Sequence, residues 1–434
     1  MDTTKSMDTV KNDIQEMPLE KDSLDMQQEM SHMFSLSLPM NRNGSGTAWL
    51  PDESPIYGYM VHTDNWILMF HGNIFLRYTS TDITKEGSRG ASMWDAPNWF
   101  MGMAQKKIGS DGLFKTSLMM SLDRLTENGN GYPLLFQSGE TWNGERLVDR
   151  QHPHDLFSEL SIAYTQRINK EIDITGYIGY PGEPALGPVA FMHRISSFNN
   201  PDAPLSHHWQ DATHITFGVG TLGIRYKQFK LEGSIFSGRE PDENRYNLDK
   251  PHFNSYSGRI SINLTPNLAL QVSYAFIKSP EAIEPDINLH RTTASIIHSY
   301  NFPSLGKLNS TIAWGLNDKG DNHKEHSFLL ESNLQLNRLN LYNRYEFVQK
   351  DPEELNLSGF DHDAKFNITA LTIGANYAIM QFNNLNLSLG IQGSVYFTPG
   401  DLKTIYGANP ISAQVYFKIS PPLISNKSNM PNHH

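Results

Sequence analysis

Histidine and acid are crowded into two stretches of this chain. The first reads Asp149-Arg150-Gln151-His152-Pro153-His154-Asp155. The second runs from Phe191-Met192-His193-Arg194 to His207-His208-Trp209-Gln210-Asp211-Ala212-Thr213-His214. Six of the 17 histidines lie between positions 152 and 214. Imidazoles joined by Asp149, Asp155 or Asp211 suit Zn²⁺, Cu²⁺ or Ni²⁺. His152, His154, Asp155, His193, His207, His208 and His214 are therefore candidate metal ligands. The same residue types also satisfy buried backbone groups in packed loops, and the spacing matches no helical zinc motif. A third stretch, Met30-Ser31-His32-Met33, brings two thioethers and an imidazole into four positions. That set suits Cu(I), so Met30, His32 and Met33 join the candidates. The ion such residues would hold is copper or zinc.

Other chemistries are excluded or thinly supported. Cysteine is absent from the 434 residues, so there is no disulfide framework and no thiolate nucleophile or ligand. Ser158, Ser206 and His154 offer the residue types of a hydrolase, but no Gly-x-Ser-x-Gly elbow, phosphate loop or dinucleotide fingerprint accompanies them. The expectation is a protein that is not an enzyme. The net charge of -11 argues against a nucleic-acid partner.

The histidine stretches must be positioned by something, and from Trp66 onward the hydropathy period is two. Phe114, Thr116, Leu118, Met120 and Leu122 alternate with Lys115, Ser117, Met119, Ser121 and Asp123. Leu268, Leu270, Val272, Tyr274 and Phe276 alternate with Ala269, Gln271, Ser273 and Ala275. Sixteen such runs are expected, with an error of about two. Links such as Asn169-Lys170, Lys227-Gln228, Thr265-Pro266-Asn267 and Asn337-Arg338 are short. They alternate with long ones near 127–155, 181–212, 238–254, 279–290, 349–365 and 399–411. In a meander the short links share one rim and the long ones the other, which is the asymmetry of an outer-membrane barrel. No apolar run reaches the ~18–20 residues of a membrane-spanning helix.

The polar face agrees. Arg77, Glu159, Arg225, Glu232, Arg259, Glu331, Arg344 and Glu346 lie inside strands beside apolar neighbours, as they would when lining a wet lumen. Trp66, Tyr164, Tyr180, Tyr226, Tyr274, Tyr300, Tyr377 and Tyr396 suit interfacial girdles. Val415-Tyr416-Phe417 resembles the aromatic end of outer-membrane strands, so outer-membrane lipid and the barrel-assembly machinery are expected partners. The run Thr213–Tyr226 reads as one strand, with His214 and Thr216 inward and Ile215, Phe217 and Val219 toward lipid.

The loops carrying histidine are apolar and rigid. Residues 181–194, Pro-Gly-Glu-Pro-Ala-Leu-Gly-Pro-Val-Ala-Phe-Met-His-Arg, and Tyr132-Pro133-Leu134-Leu135-Phe136 would bury that surface by folding inward. The first 31 residues hold eight acids against three lysines, and seven of the 17 methionines lie in the first 40 positions. They contain no apolar leader, so an exported protein would start upstream of this chain. Their composition reads as a disordered acidic tail. The expected organisation is a Met-rich tail at 1–43, a barrel at 44–420 with inward loops near 127–155 and 181–212, and a tail at 421–434.

The stretches GSGTAW (Gly44–Trp49), WILMFHGNIF (Trp66–Phe75), NWFMGMAQ (Asn98–Gln105), VDRQHPHDLF (Val148–Phe157), GEPALGPVAFMHR (Gly182–Arg194) and HHWQDATH (His207–His214) resemble a family of uncharacterised Gram-negative outer-membrane proteins. That resemblance implies an outer-membrane location and a link to copper or another heavy metal, and it implies no activity. The combined expectation is an all-β, closed antiparallel up-and-down transmembrane barrel of about 16 strands. Its function would be porin-like passage of small polar solutes or metal ions, or else metal binding at the surface of a non-conducting barrel.

Overall fold

A computed structural model describes residues 31–320, 323–361, 363–382 and 384–424. Alternation becomes wall. Sixteen long strands close into an antiparallel barrel: β1 Ile67–Ser80, β2 Asn98–Ile108, β3 Gly112–Met120, β4 Phe157–Asn169, β5 Ile172–Gly179, β6 Val219–Tyr226, β7 Phe229–Phe236 and β8 Ser255–Thr265, then β9 Leu268–Lys278, β10 Asn288–Phe302, β11 Gly306–Asp318, β12 Lys324–Leu336, β13 Leu339–Lys350, β14 Phe366–Phe382, β15 Leu385–Phe397 and β16 Ile411–Ser420. Each strand pairs with its sequence neighbour. Ile74–Ile419 to Ser80–Ala413 pairing between β1 and β16 closes the ring. Two short strands complete the edges of β1. Tyr59–His62 continues the β16 edge, and Ser92–Asp95 continues the β2 edge beyond a break at Ala96-Pro97.

The two faces divide as the period requires. Ile178, Leu222, Leu231, Val272, Ile373 and Ile391 point outward and are exposed, which forms an apolar belt. Tyr164, Tyr226, Tyr274, Tyr300 and Tyr377 are also outward. Tyr396 departs from the expected girdle. It is buried inside, tilted against Phe136 at 5.7 Å.

The expected strand over Thr213–Tyr226 begins only at Val219. Thr216 bridges to Gly182, and Gly218 takes φ +104, a turn that resets the phase of alternation. Val219 is therefore fully buried and Leu222 and Ile224 face out, the reverse of the expected facing for Val219.

The lumen is not wet throughout. Residues 181–190 and 199–219 are all buried, and this inward loop is bonded to walls on every side. Ala185 N–H donates to Ser234 on β7 and Gly187 N–H to Ser273 on β9. Arg259 on β8 donates to Gly187 O, Arg344 on β13 to Asp202 O, and Tyr416 on β16 to Asn199 O. Arg77 on β1 reaches Asp202 at 2.6 Å while holding Asp95.

A second filling comes from the short-turn end. Residues 31–43, expected within a disordered tail, are ordered and packed inside the barrel. Ser31–His32 pairs with Ser35–Pro39, and Ser35 donates to Asp173 on β5. Downstream, Asn263 on β8 donates to Leu50 O and Tyr57 to Gln335 on β12. An acidic composition did not prevent this, because the stretch after Ser31 is short of charge and Met33 and Met40 bury against Met69. The first residues of the expected C-terminal tail are also placed, with Leu423 bridged to Tyr57.

Candidate functional site

Loop 121–156 and the inward loop meet beneath the long-loop rim. His152, His154, His207, His208 and His214 form one group there. Ring centroids are 5.1 Å apart for His207–His214, 5.2 Å for His207–His208, 5.5 Å for His154–His214 and 5.6 Å for His152–His208. Phe191 packs edge-on against His207 at 5.3 Å. Short helical turns present these rings: His207–Gln210 and Ala212–His214.

Acceptors fix the rings. His154 Nδ1 donates to Asp123 Oδ2 (2.6 Å), His207 Nδ1 to Asp211 Oδ1 (2.7 Å), and His214 Nδ1 to Asp211 O (2.8 Å). Carboxylate and carbonyl oxygens only accept, so each Nδ1 carries the proton and each Nε2 presents a lone pair. The Nε2 atoms of His154, His207, His208 and His214 are all buried without a hydrogen-bond partner. An imidazole oriented through Nδ1 by a carboxylate or carbonyl, with Nε2 bare, has the outer-shell arrangement of a metal ligand. Burial pushes His207 and His214 down and His208 down to about 4, so these three lone pairs stay available at neutral pH. Among the described residues no three of these nitrogens come within 4.8 Å of one another. The rings must turn to converge on one ion.

The remaining candidates are dispersed. Asp155 pairs with Arg245 at 3.2 Å, and Arg245 also holds Glu140 at 2.8 Å. Asp149 accepts from Phe136 N–H and Arg89. His193 lies with His71 and Trp99, at 5.5 and 4.7 Å between ring centroids. His32 and Met33 are split between two environments. His32 Nδ1 accepts from Phe34 N–H, and burial, with Lys230, Arg42, Arg225 and Lys115 nearby, holds its pKa well below the usual imidazole range. Met33 packs with Met40 and Met69. Met30 lies outside the described residues. Ser158 donates to Asp155 O and Ser206 to Glu346.

One group does gather three ligand types tightly: His323, Glu325 and Asp351. Lys319 Nζ is already there, 3.0 Å from Asp351, 3.1 Å from Glu354 and 3.4 Å from Glu325. Its ammonium supplies the cation that those carboxylates need. Above the histidines an open recess of about 410 Å³ is lined by Glu140, Glu240, Asp242, Glu243 and Glu281 with Arg239. A smaller cavity below it shares Glu240 and Glu281 and reaches His208.

Asp123 and His71 were not among the sequence candidates, and Asp211, expected beside the metal, instead anchors His207 through Nδ1. Asp123 closes an alternating run, so period alone reads it as a wall position, and nothing in spacing links it to His154.

A closed barrel of sixteen antiparallel strands with an apolar belt is the architecture of transmembrane porin barrels. An anion-selective porin from Comamonas acidovorans aligns over 82% of this chain and 99% of its own at 10% identity, with a TM-score of 0.50, and so shares the fold. A loop-deletion mutant of OmpT, an outer membrane protein of Vibrio cholerae, aligns over 82% of this chain and 100% of its own at 8% identity and 0.48. OmpF of Salmonella typhi in complex with daunomycin aligns over 83% and 100% at 10% and 0.48. No family profile matches the sequence, and no characterised protein matches it in sequence.

Proposed function

We propose that this protein is an outer-membrane barrel, closed by its own chain, that binds metal ions arriving from the long-loop face. The observation that carries this reading is the set of four buried imidazoles with bare Nε2 atoms, three of them anchored through Nδ1. Zn²⁺ or Cu²⁺ suits such donors. The acidic recess above them raises the local concentration of cations. The apolar belt supports the location in lipid. The bonded filling of the lumen favours a metal-binding barrel over an open pore for small polar solutes.

The test is equilibrium titration of the detergent-purified protein with Zn²⁺ and Cu²⁺, alongside planar-bilayer recording. Wild type should hold the ion and conduct little, and His207→Ala/His214→Ala should lose retention by at least about tenfold. Wild-type protein that takes up neither ion would end the metal reading. A steady open conductance in wild type would return the porin reading.

A further inference from the structure

A second chamber lies on the other side of Phe191-Met192-His193, in the half of the barrel nearer the short turns. It is enclosed by β1, β2, the N-terminal segment and the inward loop. Met69 on β1, Met101 and Met103 on β2, Met40 and Met192 all face it. So do His71 and His193. About 80 Å³ of free space remains among them, enough for an ion or a few waters.

The lining is chemically one-sided. Five thioethers and two imidazoles are accompanied by Asn41, Asn43 and Asn73, and the described lining holds no carboxylate and no cationic side chain. Most other strands present Ser, Thr, Asn, Gln, Arg or Glu to the lumen, as Ser234, Arg259, Gln271, Thr293, Thr311, Glu331 and Gln392 do. Among the described strands, only at β1 to β3 does the inward row turn to Met69, Met101, Met103 and Met119. Methionine often fills irregular gaps in a core. Filling, however, gives no use to His71 Nε2, which is buried without a hydrogen-bond partner. The two rings lie 5.5 Å apart, each against Trp99, at 5.1 Å for His71 and 4.7 Å for His193.

We infer that this chamber is a binding site for a soft monovalent metal ion, Cu(I) or its analogue Ag(I), held by the methionine thioethers together with His71 or His193. Neutral sulfur and imidazole nitrogen match a soft ion. The absence of carboxylate from the described lining disfavours hard divalent cations. The site differs in residues, in position and in ion class from the imidazole cluster under the rim and does not depend on it.

The experiment is an anaerobic titration of the full-length protein in detergent with Cu(I) under ascorbate, against a chromophoric Cu(I) chelator, repeated with Ag(I) as a redox-inert probe. Wild type should withdraw one equivalent. Met69→Leu/Met101→Leu/Met103→Leu keeps volume nearly constant and should weaken retention by at least about tenfold. His207→Ala/His214→Ala should bind Cu(I) as wild type does. X-ray absorption at the copper edge of the wild-type complex should show sulfur neighbours. If the triple leucine variant fails to run as a folded, heat-modifiable barrel, Met101→Leu alone and the absorption spectrum decide. No withdrawal by wild type, unchanged binding in the folded leucine variants, a loss confined to the His207/His214 variant, or a shell of nitrogen and oxygen only would each overturn the assignment.

Discussion

Arg194 and Glu331 meet at 2.7 Å in the interior of the barrel, one carried by the inward loop and the other by β12, with neither side chain reached by solvent. Arg194 also holds Asp211 at 2.7 Å, and Glu331 also accepts from Arg344 at 3.0 Å. The pair therefore joins wall, loop and the histidine anchor in one network. Loss of one member of such a network strands the others as uncompensated buried charge.

Arg194→Ala should accordingly cost about 3–5 kcal/mol, read as a fall in the heat-modification midpoint on gels. It should also free the inward loop, with higher bilayer conductance and faster proteolysis within 181–212. Arg194→Ala with Glu331→Gln should recover part of the loss. A single variant as stable as wild type would show that the network carries no weight.

The outer face should tolerate charge poorly. Val272 is outward and exposed, so Val272→Arg should cost about 2–4 kcal/mol near the membrane midplane. Gln271 points inward but is buried and donates to Thr293. An arginine there is therefore also destabilising, where a water-filled lumen would have accepted it. Folding titrations from urea into detergent or lipid vesicles measure both.

The rim loops should tighten in acid. Burial pushes Asp155, Glu240 and Glu281 each up to about 7. A carboxyl with a raised folded pKa favours the folded form when protonated. Its stabilisation is complete below the ordinary carboxylate range of about 4 and is lost as pH rises through about 7. Hydrogen exchange over 238–245 and 279–287, corrected for intrinsic rate, should be severalfold faster at pH 8 than at pH 5. Glu240→Gln should flatten that dependence, and equal protection at both pH values would contradict the direction.

Topology follows from the loop asymmetry. An epitope inserted at Asn356 should be accessible on intact cells, and one at Asn267, in the turn between β8 and β9, should not. The opposite labelling would invert the barrel.

The wall was legible because strands that face lipid on one side and a polar interior on the other must alternate, and β8 and β9 show this on either side of the turn at Pro266-Asn267. The histidines under the rim were legible as residue types in two loops. Their separation into an anchored group and a distant His193 was not, since Asp123 reaches His154 and Phe191 reaches His207 only through tertiary packing. Ser31–Asp52 was least legible. Its strands are two and five residues long, too short to show a period, and its partners Asp173, Arg259 (which donates to Thr47) and Asn263 lie more than 120 positions away. The methionines of β1 and β2 read as ordinary alternation because a thioether can stand on either face. Only Met40 and Met192 arriving from other segments turn that row into a chamber.

The closing seam of the wall, Ile74–Ser80 against Ala413–Ile419, is also bound from behind. Arg77 in β1 must find Asp202, and Tyr416 in β16 must find Asn199 O, on the same segment of chain. That segment spans the two edges of the seam from the inside. Without that segment Arg77 would keep Asp95 alone and Tyr416 would lose the Asn199 carbonyl. The seam is thus riveted from behind as well as laced along its length, and a cut within residues 199–202 would leave the lacing alone to hold the cylinder shut.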